Sequence, residues 1–223
     1  NNRHEQAKAA IEGTSAGGDS VVLDPVLGAP GSPLNIEWPT LSGLDGELDL
    51  DGRGEYEIST GLAFFDHMLE SFAKHALFDL RLSAKGDLAV DAHHTVADVG
   101  IALGQAFRSA LGSAAGIRRY GSFVLPMAES KVEVAVDVSN RPYLVYGVAL
   151  VNDRIGSFDV SLVEDFLYAF SQNAGLDLHV ELRYGKSPHH VVEAIFKGLA
   201  RALREAVAVD PRVAGLPTFK GAL

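Results

Sequence analysis

The chain contains one pattern twice, and that repeat constrains its fold more than any other feature. The segment FFDHMLESFAKHALFDLRL, from Phe64, recurs as LVEDFLYAFSQNAGLDLHV, from Leu162, at an offset of about 98 residues. Phe64, Phe65, Met68, Leu69 and Phe72 mark the apolar face of the first helix, and Leu162, Val163, Phe166, Leu167 and Phe170 take the same places in the second. The pairs Leu69/Leu167, Phe72/Phe170, Ala76/Ala174, Asp79/Asp177 and Leu80/Leu178 are identical. Further on, HHTVADVGIALGQAFRSAL, from His93, matches HHVVEAIFKGLARALREAV, from His189. Amphipathic helices resemble one another cheaply. Two strand–helix–strand–helix sets in the same order, each opening its last helix with a His-His pair, do not arise so easily. The reading is an α+β tandem duplication of a β-β-α-β-β-α-type half, with helices covering the sheets.

Period-2 alternation places strands in ELDLDGRGEYEI, Glu47 to Ile58, where the turn signal Asp51-Gly52 suggests a hairpin. LFDLRLSAKGDLAVD reads as a second strand pair, and KVEVAVDVSNRPYLVYG, Lys131 to Gly147, as another hairpin. Helices are expected at Phe64–His75 and Val96–Leu111. Residues 1–35 hold the Gly/Pro/Ser-rich stretches EGTSAGG and LGAPGSP and read as a tail or linker, with one short helix near Glu5–Glu12. The first half-domain is then 36–125 and the second 126–223, together forming one compact unit.

A net charge of -10 argues against nucleic acid or an anionic membrane as partner, because phosphate backbones call for clustered cations. A small phosphorylated ligand needs only a few local cations and stays open. The absence of cysteine removes thiol chemistry and disulfides. No apolar run approaches the roughly 20 residues of a membrane span, and no secretory signal is visible, so the expectation is a cytoplasmic protein.

The histidines carry the chemistry. His93 and His94 lie about 100° apart on a helix and cannot easily grip one ion together. In the second copy, His189 and Glu193 stand at i and i+4 on one helical face, a workable ligand pair. The corresponding place in the first copy is Ala97, and the mate of His67 is Asp165. Candidate metal ligands are therefore His67, His93, His94, Asp165, His189, His190 and Glu193. Nitrogen-rich ligation with some carboxylate suits manganese, iron, zinc or cobalt. No His-Glu-x-x-His is present, which argues against a metalloprotease.

FFDHML, DAHHTVADVG, GIRRYG, DVSNRP, SPHHVVEAIFKGLARALREA and the terminal PTFKGAL together resemble imidazoleglycerol-phosphate dehydratase of histidine biosynthesis, over roughly Gly46 to Leu223. The resemblance implies a duplicated fold like the second domain of ribosomal protein S5, a 24-subunit homo-oligomer, and two Mn2+ per site at subunit interfaces. It implies dehydration of imidazole glycerol phosphate to imidazole acetol phosphate, with phosphate held by Arg119, Arg141, Lys197, Thr218 and Lys220. It also exposes departures. The pattern His-His-Thr-x-Glu-Asp has Ala97 in place of its glutamate, and Asp165 replaces a histidine. Ala128 replaces the acidic residue of Pro-x-Asp-Glu, and Asp91-Ala92-His93-His94 replaces Asp-Asp-His-His. Asp98 cannot substitute at position 97, because it lies a 100° step away on the face of His94. The Arg-x-Thr-x-Glu-Thr motif, whose glutamate handles protons, has no match in IEWPTLSGLDGEL, so the catalytic residue is unassigned. Two alternatives follow. One is a catalytically reduced paralogue that binds ligand or builds the shell, co-assembling with an intact copy. The other is a metal-dependent enzyme acting on a related phosphate ester.

Overall fold

The structure, a computed structural model, describes residues 34–37, 43–150 and 154–220. The expected tail falls almost entirely outside these residues, as does its short helix.

The first half runs β1 (Leu34–Glu37), β2 (Leu44–Asp49), β3 (Tyr56–Ser59), α1 (Ala63–Ala76), β4 (Asp79–Ala84) and α2 (His93–Leu111). The second runs β5 (Tyr120–Met127), β6 (Ser130–Asp137), β7 (Tyr143–Gly147), a small ribbon β8 (Arg154–Ile155) and β9 (Phe158–Asp159), α3 (Leu162–Ala174), β10 (Asp177–Tyr184) and α4 (Pro188–Ala206). The two four-stranded sheets have matching orders, β1-β2-β4-β3 and β5-β6-β10-β7. The duplication is therefore one of topology as well as sequence. Each half is β-β-β-α-β-α, apart from the inserted ribbon. β5 already belongs to the second sheet, so that sheet opens at Tyr120.

The expected hairpins are not formed. β2 pairs antiparallel with β4, and β3 lies parallel to β4 on its other side. Likewise β6 and β7 flank β10, antiparallel and parallel respectively. A parallel pair needs a crossover, which α1 supplies between β3 and β4, and α3 between β7 and β10. The returning strand inserts where a hairpin partner would have been. The Asp51-Gly52 segment serves instead as a wider passage past the start of β4. There the Asp79 carboxylate accepts from the Arg53 and Glu55 amides at 2.7 and 2.8 Å. The expected second strand after β4 is also absent, because residues 85–92 run as turn and bend into α2.

The helices form the layer between the two sheets. α1 packs against α4 and α2 against α3, while α4 also lies on β5 and β6 and α1 on β3. Every helix thus touches the other half. Phe65, Phe72, Phe107, Phe166, Phe170 and Phe196 are all at most 2 % exposed and meet across this seam. Phe166 lies 5.3 Å from both Phe65 and Phe196, ring centre to ring centre. Removing such a ring should cost about 3–5 kcal/mol. Along the α2–α3 contact, a Cβ at Gly104 would stand 2.6 Å from the Phe170 carbonyl oxygen, so only glycine permits that helix spacing.

Candidate metal centre

α1 contributes His67 from its second turn, and α4 contributes His189 and Glu193 from its first two. The α1–α4 contact brings the three together, with ligand atoms all within 4.8 Å of one another. The trio therefore joins the two halves. Glu193 is 8 % exposed, and its two oxygens are divided: Oε1 takes the Lys197 ammonium at 2.7 Å, and Oε2 faces His189 Nε2 at 3.3 Å. Burial pushes the Glu193 carboxyl up, but Lys197, His189 and His67 outweigh it and hold the group below its ordinary value. Two imidazoles and an anchored carboxylate are a donor set that fits a divalent first-row ion.

Pseudo-symmetry places the first-half counterpart between α2 and α3, where only part of the set survives. His93 Nδ1 lies 3.1 Å from Asp165 Oδ2, and both side chains are about half exposed. Ala97 stands where Glu193 stands in the other set and offers a methyl group. Ile101, in the place of Lys197, could not have anchored a carboxylate. His94 and His190 are outside both groupings. His94 is exposed on the first turn of α2, its ring 5.9 Å from that of His93. His190 turns to Glu129, whose Oε2 lies 2.6 Å from Nδ1.

Sequence reasoning passed over Glu129, although it immediately follows Ala128. The Ser187 amide donates to it at 2.8 Å, and with His190 this holds the carboxyl far below the usual carboxylate range. Its turn is a two-residue hairpin in which Ala128 takes φ +50°, a conformation that suits Gly, Asn or Asp better than alanine.

The phosphate candidates do not gather in one place. Lys197 is tied to the trio through Glu193 Oε1. Arg119 lies at the far end of α4, where its amide donates to the Ala206 carbonyl at 2.8 Å. By helical rise, Ala206 is roughly 25 Å from His189. The Arg119 side chain is 10 % exposed, and its guanidinium forks onto Asp137 at 2.6 and 2.9 Å, while Nη1 donates to Pro217 O at 3.1 Å. The Asp137 hydrogen bond raises the Arg119 pKa further, against the effect of burial. That contact ties the C-terminal segment, with Thr218 and Lys220, to the same end. There the Lys220 amide donates to Thr218 Oγ1 at 3.1 Å. Arg141 folds back on its own loop, Nη1 to Ser139 O at 3.1 Å. The region expected to carry the proton-handling glutamate includes residues 38–42, outside those described. Among the described residues, no helix is long and apolar enough to cross a membrane.

Comparison with known proteins identifies the family. The family model described as Imidazoleglycerol-phosphate dehydratase matches residues 60–203. The chain is 54 % identical over 177 residues to the imidazoleglycerol-phosphate dehydratase of Thermoanaerobacter pseudethanolicus, covering 79 % of this chain and 91 % of that one. It is 56 % identical over 177 residues to the Azorhizobium caulinodans enzyme, covering 79 % and 90 %. The crystal structure of the Staphylococcus aureus enzyme superposes with a TM-score of 0.71 at 37 % identity, covering 76 % of this chain and 95 % of that chain. The structure from Pyrococcus furiosus in complex with (S)-C348 gives 0.70 at 35 %, covering 82 % and 98 %. A duplicated α+β fold, a histidine–carboxylate centre across its seam and these matches place the chain in the imidazoleglycerol-phosphate dehydratase family.

Proposed function

We propose that this chain is a manganese-dependent hydro-lyase that converts imidazole glycerol phosphate to imidazole acetol phosphate, with one strong and one weakened metal position. The observation that carries this reading is the His67/His189/Glu193 trio, whose atoms lie within 4.8 Å of one another. Bound there, Mn2+ would supply the Lewis acidity that stabilises an imidazole ring in its anionic form, so that the ring accepts electron density as hydroxide leaves. His67 and His189 would hold the ion as neutral donors. Lys197 keeps Glu193 ionised and aimed by occupying Oε1. The weakened position is His93 with Asp165, two donors where the other set has three.

Arg119, Thr218 and Lys220 would receive the phosphate, Arg119 once a neighbouring anion competes with Asp137 for its fork. Because Arg119 sits at the opposite end of α4 from His189, one copy cannot readily offer both groups to one small substrate. This supports a homo-oligomer in which the two ends meet between subunits. A 24-subunit shell in the cytoplasm is the form we propose.

Ala97 and the lone His93–Asp165 pair favour a second reading, a catalytically reduced paralogue that binds the ligand and helps to form the shell. Turnover of imidazole glycerol phosphate by purified protein with excess Mn2+ decides between them, with an intact relative as control. Metal-dependent turnover supports the dehydratase. No turnover beside a working control supports the paralogue.

A further inference from the structure

The carboxylate of Glu129 joins two elements distant in sequence, the β5–β6 turn and the first turn of α4. Oε1 accepts from the Ser187 amide at 2.8 Å, the Lys186 amide at 3.3 Å and Ser130 Oγ at 3.0 Å. Oε2 faces His190 Nδ1 at 2.6 Å. An ionised carboxylate only accepts, so the proton of a neutral His190 must reside on Nδ1 and the lone pair on Nε2. Capping the helix would not require this second contact, since Ser187 already accepts from the His190 amide with its own side chain. We infer that Glu129 is a positioning residue that fixes the tautomer and ring orientation of His190, presenting Nε2 as a metal donor. The inference rests on the metal-binding reading above and extends it to His190, which lies outside the two groupings; an outer carboxylate on a metal histidine typically changes affinity by about 10–100-fold.

Glu129→Gln is the discriminating variant. Its amide oxygen can keep the backbone bonds of Oε1, while its NH2 faces His190 and donates, which drives the proton to Nε2. The full chain labelled with 15N-histidine is measured near pH 8, above the ordinary imidazole pKa of about 6.5, with His190→Asn to assign the ring signals. The expected result is Nδ1–H in the parent and Nε2–H in Glu129→Gln. Mn2+ titration should show about tenfold weaker binding in Glu129→Gln and no further loss when His190→Asn is added. An unchanged tautomer in Glu129→Gln would overturn the inference. So would a Glu129→Gln effect on Mn2+ binding that persists in full in the His190→Asn background, because Glu129 would then act by another route. Should the parent bind no Mn2+ at all, the metal reading fails, and the metal-free tautomer measurement still decides what Glu129 does to His190.

Discussion

Placing a carboxylate at position 97 by Ala97→Glu tests the proposed weakened metal position directly, and the structure sets the size of the effect. Position 97 is one turn from His93, as Glu193 is from His189, so the new side chain should come within about 4.8 Å of Asp165, the spacing of the intact trio. Without metal, two carboxylates at that distance repel by roughly 1 kcal/mol at the bulk-water limit, the appropriate one for groups as exposed as His93 and Asp165. Ile101 gives the new group no ammonium like that of Lys197. The metal-free variant should therefore melt about 2–4 °C below the parent. Added Mn2+ should reverse the order. A restored ligand should tighten the site at least tenfold, and saturation at 100 times Kd contributes about 2.7 kcal/mol, or roughly 5–10 °C. Calorimetric melting across a Mn2+ series, with metal content per chain measured in parallel, reads both effects. The same metal content and the same Mn2+-induced shift in variant and parent would refute the assignment of His93 and Asp165 as metal donors.

Three further predictions address the surrounding fold. Arg119→Lys removes the fork onto Asp137 and the bond to Pro217 O, and should cost about 2–3 kcal/mol by denaturant titration, since an ammonium cannot make bidentate contact. Burial and then Lys197 and Arg201 lower the His75 pKa, so the folded state binds fewer protons there than the unfolded one. Stability should then fall as pH drops below the ordinary value near 6.5 and level off below the folded pKa. His75→Gln should flatten that slope in melts between about pH 7.5 and 5. Ala128→Gly relieves the φ +50° conformation of the β5–β6 turn and should raise stability by about 0.5–1 kcal/mol.

Local and repeated properties were legible from the chain alone. The recurrence of Leu69, Phe72 and Asp79 as Leu167, Phe170 and Asp177 revealed the duplication, because matching halves preserve the same buried face. The i, i+4 spacing of His189 and Glu193 likewise required only a helix, and α4 supplies it. Partnership was not legible. Alternation marks a strand but not its neighbour, so β2 and β3 resembled a hairpin until β4 came between them. The union of His67 with His189 and Glu193 needed the α1–α4 packing, and the bond from Glu129 to His190 needed the β5–β6 turn to meet the start of α4. These contacts join residues 61 to 126 positions apart in the chain. Their geometry is set by burial of a shared aromatic seam, a non-directional force that leaves no local mark on the residues it brings together.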